Sequence, residues 1–537
     1  MKSSSTKKSL ILGGLVGTSG FLIAKAIGLI YSIPFSTILG SDAYMSYYGT
    51  AYRIYSYILN IFTAGFPFAI ATMVAKYSTL ENWKTVLNIR KMSLVFMACV
   101  GFLGMIIMMM LSGLLAMLMT ETSEGSHVMT IVLCILAVAI FLVPILSSYR
   151  GFIQGRKEME EYAFSQAFEQ VFRVGFLLSA ACLMVYGFHM DRVWALYGAV
   201  LSTSVAALAG IIQISRFSKK QEGLLKKQSK SQQVKPVASR AIFREMVILA
   251  LPYMGSAILG YSDDIYNSVL LPIGLRYSSY TPDQINTVMS AANYVGTKLT
   301  SIPMILAPGF TAAIIPHLSS SLLEKKYGRI RKDVRECINI VLFLGLFLSF
   351  AIMIYAGPVF YSLFYTSDLP LSTEIVRWIS LEGLMGTITP VISSIMMALS
   401  LQKSLLKRLT WGTLLKGVLL IPLTIWLGFA GAVLATMISY GYILIFNTLE
   451  LSEKFGISMR SMAQVALKTI LALACMGACA WLLSFTGLGS VQGSRLMCLL
   501  GLLVSGVISS LVFVGVSLVF GLPQQLFHFR LNFGHKS

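Results

Sequence analysis

Long apolar stretches recur along the whole chain of 537 residues. A helix needs about 20 mainly apolar residues to cross the roughly 30 Å of hydrocarbon in a bilayer. Hydrocarbon offers no hydrogen-bond partner to a peptide group, so spanning segments of this kind must be helices. The sequence therefore predicts an all-α polytopic membrane protein with about fourteen transmembrane helices, at residues 10–36, 50–75, 92–118, 128–149, 162–187, 193–215, 243–271, 286–317, 337–362, 372–398, 409–428, 430–450, 463–486 and 496–521.

The composition is that of a membrane protein. Hydrophobic residues make up 56% of the chain and charged residues 12%, whereas a soluble domain carries about 25% charged residues. The formal net charge of +20 would suggest nucleic acid as the partner of a soluble protein. Here the basic residues lie between the apolar stretches, and the sequence contains no nucleic-acid-binding motif. We expect membrane lipids, and no nucleic acid, among the partners.

Loop charges predict the orientation. Basic residues concentrate in alternate loops, and acidic residues prevail in the others, which is the positive-inside pattern of a bacterial inner-membrane protein. The apolar run after Met1–Lys8 has no convincing cleavage site, so it is interpreted as an uncleaved first helix. We therefore predict that both termini are cytoplasmic. The predicted cytoplasmic loops contain Lys84, Arg90, Arg150, Arg156, Lys332, Lys403 and Lys454, and the predicted outer loops contain Asp42, Glu121, Asp191, Asp283 and Asp368.

An internal repeat predicts the domain organisation. The sequence VPILSS at 143–148 resembles TPVISS at 389–394, and GAVLST at 198–203 resembles GAVLAT at 431–436. These matches predict two six-helix lobes related by a pseudo-two-fold axis along the membrane normal, with a substrate path between them, plus two extra C-terminal helices. The predicted boundaries are an N-lobe at 1–215, a basic, flexible cytoplasmic linker at 216–242, a C-lobe at 243–450, and two further helices with a tail at 451–537.

Three basic residues inside the apolar stretches are candidates for binding substrate. Lys25, Arg53 and Lys298 lie in predicted helices 1, 2 and 8, where a charge at mid-bilayer costs about 2.5–3.5 kcal/mol. A central cavity lined with such residues concentrates anions and suits a phosphate or diphosphate headgroup. Arg53 has a second interpretation, because its long side chain could snorkel to the outer interface.

Acidic residues within the helices have two interpretations each. Asp263 and Asp264 of helix 7 either neutralise the cavity lysines or bind a coupling cation. Glu169 and Arg173 of helix 5 are spaced i,i+4, so they either pair with each other or face the substrate. Asp42, near the outer end of helix 1, is a further candidate charge partner or coupling-ion site.

The sequence contains no sign of an enzyme. Walker A, HExxH and GxSxG motifs are absent, and the outer loops are too short to hold an active site. The seven cysteines are scattered and include no CxxC pair, and the histidines and cysteines show no metal-ligand spacing. We expect no metal and no cofactor. A coupling monovalent cation and the membrane potential are the two candidate driving forces.

Two motifs resemble those of a known family. YRGFIQG at 149–155 and SQAFEQVFRV at 165–174 are similar to the YRGxxQG and SQxxEQxxR patterns of polysaccharide-biosynthesis exporters of the SpoVB/YtgP type. These exporters belong to the multidrug/oligosaccharidyl-lipid/polysaccharide superfamily, and some members are MurJ-like lipid II flippases of Gram-positive bacteria. The resemblance implies that Lys25 and Lys298 are the cavity cations of helices 1 and 8, with Arg53 a looser match in helix 2.

The resemblance implies a flippase that moves lipid II, an undecaprenyl-diphosphate-linked muropeptide, between leaflets by alternating access. Export of another lipid-linked glycan for capsule, teichuronic acid or spore envelope is the first alternative. A cation-coupled multidrug antiporter is the second, which the excess of cavity cations disfavours. The implied partners are the lipid-linked saccharide diphosphate and the cell-wall synthesis machinery.

Overall fold

The structure is a computed structural model that describes residues 26–230, 232, 234–305, 314–315 and 318–527. Within these residues all regular structure is helical. The helices that correspond to the predicted spans are α1 (Ala26–Leu39), α2 (Asp42–Thr79), α3 (Trp83–Met119), α4 (Ser123–Gly155), α5 (Met159–Cys182), α6 (Arg192–Lys230), α7 (Ser239–Gly260), α8 (Thr297–Met304), α9 (Tyr327–Ile354), α10 (Leu369–Ala398), α11 (Gln402–Leu427), α12 (Phe429–Phe455), α13 (Met459–Ser484) and α14 (Arg495–Val519).

Short helical segments complete the described chain. A π-helical turn at Leu183–Gly187 extends α5. Short helices also follow α9 and α14, at Ala356–Leu363 and Leu522–Phe527. Between α7 and α8 the chain alternates between α and π geometry, at Ser262–Ile265, Tyr266–Leu270, Leu271–Arg276, Pro282–Met289 and Ser290–Gly296.

The described residues contain 12 helices that are long and apolar enough to cross a membrane. They correspond to predicted spans 2–7 and 9–14, so the chain is an all-α, multi-pass membrane protein. Part of predicted span 1 and part of predicted span 8 lie outside the described residues. The count of fourteen and the two-fold relation of the lobes stay predictions.

Exposed apolar side chains fit a bilayer environment. Met110, Trp426 and Val519 are 78%, 78% and 84% exposed. A soluble protein rarely exposes contiguous apolar surface on this scale, whereas in a membrane the lipid tails cover it.

The chain divides into two compact units, Met1–Ile273 and Gly274–Ser537. Helix α7, assigned to the C-lobe from sequence, lies in the first unit, where the Lys76 ammonium and the Tyr77 hydroxyl of α2 both contact its Glu245 carboxylate, at 2.6 and 2.8 Å. The predicted lobe boundary at 216–242 stays a prediction. In the second unit, α13 and α14 pack on α9.

The first half of the predicted flexible linker is helical. Helix α6 continues to Lys230, because two of its residues after the apolar stretch have partners in α3. The Arg90 guanidinium pairs with Glu222 at 2.6 Å and donates to the Ser218 hydroxyl at 2.8 Å. Leu225 on the same extension is fully buried. A basic composition predicted solvation here, but it carried no information about these tertiary partners.

Glycines allow α2 and α4 to approach closely. A Cβ atom added at Gly151 or Gly155 of α4 would lie 2.7 or 2.6 Å from the backbone carbonyl oxygens of Pro67 and Ala71 in α2. Lipid tails are as apolar as leucine, so helices in a membrane associate through tight packing of small residues rather than through a hydrophobic driving force. The two glycines of the YRGFIQG motif are thus packing residues.

We expect Gly151→Ala to destabilise the protein. The added methyl group would force the α2 backbone away, and overpacking of this kind costs about 1–3 kcal/mol. The measurement is the melting temperature of the purified full-length protein in detergent. The control is Gly175→Ala in α5, where nothing lies within 4 Å of the added Cβ. Equal melting temperatures for the two variants would contradict the packing role.

Candidate functional site

Arg53 of α2 is held by an acid inside the first unit. Its Nη1 lies 3.4 Å from Asp264 Oδ1, and the two side chains are 11% and 24% exposed. Arg53 is eleven residues from the start of α2 at Asp42, which places it about 16 Å along the helix. The structure thus shows Arg53 in an ion pair with Asp264, and snorkelling to the interface stays a prediction. Asp264, predicted either to neutralise a cavity lysine or to bind a coupling cation, contacts this arginine, and neither of the two predicted roles is tested.

Asp264 lies where the helix changes geometry. It belongs to the short helix Ser262–Ile265, which also contains the half-buried Asp263 and leads into the π-helical turn Tyr266–Leu270. In this turn the Ser268 hydroxyl donates to the Thr50 carbonyl of α2 at 3.4 Å. Single π-helical turns inside α-helices occur frequently at functional sites.

Lys298 lies in the second unit in a comparable setting. It is the second residue of α8, directly after the π-helical segment Ser290–Gly296, all seven residues of which are buried. Pro303 lies five residues further on, within the same short helix. Lys298 itself is half-buried. Lys25, the third predicted cavity cation, lies outside the described residues, so a shared cationic cavity stays a prediction.

Asp42 begins α2. Its side chain is buried, and it follows the N-cap Ser41, whose hydroxyl accepts a hydrogen bond from the Tyr44 amide at 3.4 Å. A carboxylate in the first turn interacts favourably with the positive end of the helix dipole. This position gives Asp42 a structural role at the start of the helix that contains Arg53.

Glu169 and Arg173 do not form the intrahelical pair that their spacing allows. Glu169 pairs instead with Arg150 of α4, with a separation of 2.8 Å between Oε2 and Nη2. Arg173 donates a hydrogen bond to the side-chain oxygen of Gln170. The i,i+4 rule considers one helix alone, whereas the neighbouring helix α4 supplies a guanidinium that also reaches Ser165.

Both family motifs meet at this contact between α4 and α5. The Arg150 guanidinium donates to the Ser165 hydroxyl at 3.2 Å and to the Ser165 carbonyl at 2.9 Å, in addition to its pairing with Glu169. The next residue, Gly151, packs against the backbone of α2. The arginine and glycine of the first motif and the serine and glutamate of the second therefore join three helices. Sequence reasoning located these residues but not this connection.

Tyrosines form a stripe along α2 beside Arg53. The rings of Tyr48 and Tyr52 have centroids 4.5 Å apart, and those of Tyr52 and Tyr55 are 5.7 Å apart. The Tyr48 hydroxyl hydrogen-bonds Tyr31 of α1 at 3.2 Å, and Tyr52 hydrogen-bonds Thr203 of α6. Sequence reasoning missed this stripe, although its i,i+4 and i,i+3 spacing was a visible signal. It packs three helices and presents hydroxyl groups within the first unit.

The second unit has its own ion cluster, formed around Glu450 between the start of α11 and the end of α12. Glu450, 7% exposed, lies 2.7 Å from Arg408 and 2.6 Å from Lys454, and accepts from the Ser404 hydroxyl at 3.0 Å. Lys416 of α11 is also buried, with 1% exposure. Among the described residues no group of three or more His, Cys, Asp and Glu side chains could hold a metal ion.

Comparison with known proteins establishes the class of this molecule. Residues 10–322 match the family described as polysaccharide biosynthesis protein, and the chain belongs to that family. More particularly, it is 26% identical over 541 residues to the lipid II flippase MurJ of Bacillus subtilis (strain 168), and the match covers 97% of each chain.

Solved structures show the same fold. A structure titled as lipid II flippase MurJ in an inward closed conformation has a TM-score of 0.66 at 14% identity and covers 94% of this chain and 99% of its own. An inward-facing multidrug resistance transporter of the MATE family, in the MOP superfamily, has a TM-score of 0.65 at 16% identity and covers 82% of this chain and 98% of its own. The named activities are those of flippases and transporters, not of enzymes.

We expect Glu169→Ala to destabilise the protein, because it leaves the Arg150 guanidinium without its acid. Loss of one partner of a buried pair costs about 3–5 kcal/mol, and we expect the lower end here, since both side chains retain some exposure. The melting temperature of the purified protein measures the effect. Glu160→Ala is the control, because Glu160 is an exposed acid on the same helix. Equal losses for both variants would show that Glu169 does not lock α4 to α5.

Proposed function

We propose that this protein is a lipid II flippase, which moves the undecaprenyl-diphosphate-linked muropeptide from the inner to the outer leaflet of the bacterial inner membrane. The observation that carries the proposal is the match over 97% of both chains to a relative named lipid II flippase. A match of that extent includes α13 and α14 as well as the residues assigned to the family. In this proposal both termini are cytoplasmic, as the loop charges predict.

Arg53 is the described residue best suited to contact the diphosphate. Its contact with Asp264 is long at 3.4 Å, and its Nε atom is buried without a hydrogen-bond partner within the described residues. A diphosphate offers charge-assisted, bidentate acceptors to a guanidinium. The substrate diphosphate would therefore replace the Asp264 carboxylate as the partner of the Arg53 guanidinium. Lys298 and Lys25 would supply further positive charge.

The membrane potential is the proposed driving force. Movement of two net negative charges out of a negative-inside cell releases roughly 4–5 kcal/mol per 100 mV, provided that the charges of the protein stay in place. A monovalent cation bound near Asp263 is the alternative source of coupling. The cell-wall synthesis machinery that uses the exported precursor is a proposed partner.

Export of another lipid-linked glycan is the second candidate function. The family description, polysaccharide biosynthesis protein, includes no particular saccharide, and the same cationic groups would bind any polyprenyl diphosphate. A cation-coupled drug antiporter is less well supported, because Arg53 already contacts Asp264, an acid that such a transporter would need for its cation.

We expect this chain to restore growth of a bacterium depleted of its own lipid II flippase. Arg53→Ala and Lys298→Ala should fail to restore growth, because loss of a hydrogen bond to a charged group costs about 1.5–3 kcal/mol, or roughly 10–100-fold in binding. Arg53→Lys, which keeps the charge, should restore growth in part. The readout is plating efficiency at matched membrane levels.

Lys403→Ala is the matched control for charge, because Lys403 is exposed at the start of α11 and should be dispensable. Absence of growth with well-expressed wild-type protein would move the assignment to another lipid-linked glycan. Growth with both Arg53→Ala and Lys298→Ala would show that Arg53 and Lys298 are not needed to bind the substrate.

We expect dissipation of the membrane potential to slow export. In proteoliposomes with a potassium diffusion potential, a change from 100 mV negative inside to zero removes the roughly 4–5 kcal/mol available for two charges. The measurement is the rate at which labelled lipid II becomes accessible from outside. A rate that does not depend on the imposed potential, with sodium held constant, would contradict this scheme.

A further inference from the structure

Three adjoining cavities form a groove within the second unit. The first, of about 580 Å³, is lined by residues of α10, α13 and the loop after α13, and the second, of about 510 Å³, shares Ile354 and Arg377 with it. The third, of about 240 Å³, shares Met353 and Leu381 with the second. Helix α9 supplies the floor of the groove, and α10 and α13 supply its walls.

The groove is polar at one end and apolar at the other. The first cavity is lined by the polar residues Thr373, Arg377 and Ser484. Of the described residues that line it, Arg377 is the one that carries a charge. The third cavity is lined mainly by apolar side chains such as Leu346, Phe350 and Leu473. A groove with a cationic end and an apolar end has the polarity pattern of a phospholipid.

The cation at the polar end is available to a ligand. Arg377 is exposed, and within the described residues its guanidinium has no ion pair or hydrogen bond. Glu374, one turn earlier on α10, lines the second cavity but not the first. Arg377 is therefore the charged residue that lines the first cavity, and Glu374 lies beside it only in the second. A guanidinium binds phosphate oxygens in bidentate fashion.

Arg377 lies in the first third of α10, close to two tryptophans. It is eight residues from the start of α10 at Leu369, or about 12 Å along a helix of roughly 45 Å. Trp378 follows it, and the exposed Trp481 lines the same cavity three residues before the end of α13. Tryptophan is enriched at membrane–water interfaces.

Hydrogen bonds hold the end of the floor helix α9 and the segment after it against α14 and the loop before α14. The Tyr355 hydroxyl, at the end of α9, bonds the hydroxyls of Ser505 and Ser509 in α14 at 2.8 and 2.9 Å. Tyr361 donates to the Gly493 carbonyl in the loop before α14 at 2.9 Å. The cavity thus belongs to a preformed site, and its volume is within the roughly 300–1,000 Å³ usual for ligand sites.

We propose that this groove binds one anionic diacyl phospholipid of the surrounding leaflet, with the phosphate on Arg377 and an acyl chain along the apolar cavities between α10 and α13. Phosphatidylglycerol has the required chemistry. An anionic lipid is favoured over a zwitterionic one, because the charged residue that lines the first cavity is a cation, whereas Glu374 lines only the second. The site concerns the second unit alone and does not depend on the identity of the transported substrate.

The test is native mass spectrometry of the full-length protein in detergent with added phosphatidylglycerol. Wild type should retain this lipid at least fivefold more than Arg377→Gln. The control for charge is Arg495→Gln, because Arg495 is an exposed arginine at the start of α14 that lines none of the three cavities. This variant should retain the lipid like the wild type. Equal retention by wild type and Arg377→Gln would overturn the proposal.

The apolar part of the groove has a separate test. Ala474→Phe in α13 fills the third cavity and should lower retention of phosphatidylglycerol at least threefold, with Arg377 intact. Ala478→Phe is the control, one turn further along α13 at an exposed position outside the three cavities. Equal retention by the two variants, with both folded by melting temperature, would overturn the acyl-chain assignment.

Competition experiments on the wild-type protein distinguish the ligand without any variant. Phosphatidylcholine and glycerol 3-phosphate should each displace bound phosphatidylglycerol at least tenfold less well than phosphatidylglycerol does. Displacement by glycerol 3-phosphate at similar concentration would identify a site for a free anion. Displacement by phosphatidylcholine at similar concentration would identify a non-selective lipid groove. Either result would overturn the proposal.

Discussion

Hydrocarbon cannot hydrogen-bond a peptide group, and the rest of this structure depends on that constraint. Each spanning segment must satisfy its backbone internally, so the chain forms long helices. The same solvent removes the usual hydrophobic force between helices, since lipid tails are as apolar as the side chains. Contact between helices must therefore come from close packing and from polar pairs. Gly151 and Gly155 allow close packing against α2. Arg150 and Glu169 form a polar pair between α4 and α5.

Ion pairs between helices serve different purposes in this protein. The pair of Arg150 and Glu169 has short contacts and additional bonds to Ser165, so each group is well compensated and holds two helices together. The pair of Arg53 and Asp264 is longer, at 3.4 Å, and lies beside a π-helical turn. A looser pair is easier to exchange for a ligand, because less interaction energy is lost when it opens. This contrast separates a structural arginine from a candidate substrate-binding one.

The proposed phospholipid groove adds a second kind of recognition. The proposed substrate site would have to bind and release a diphosphate during each transport cycle, whereas Arg377 faces a preformed groove at the edge of one unit. A lipid held there would fill the space between α10 and α13, which both pack on α9. Its contribution would be to the stability of the second unit rather than to the choice of substrate.

The sequence by itself determined the fold class, most of the spans and the family, because apolar length, loop charge and local motifs are properties of contiguous residues. It also located Arg53 and Lys298 as charges inside apolar stretches. It did not determine which acid each arginine meets: the spacing of Glu169 and Arg173 allowed a pair, yet Glu169 lies on Arg150 of another helix. Its basic composition predicted a flexible linker at 216–242, although contacts with Arg90 and the burial of Leu225 keep the chain helical as far as Lys230. Partner choice, the division at Ile273 and the groove beside Arg377 were decided only by tertiary structure, because they depend on contacts between helices far apart in the chain.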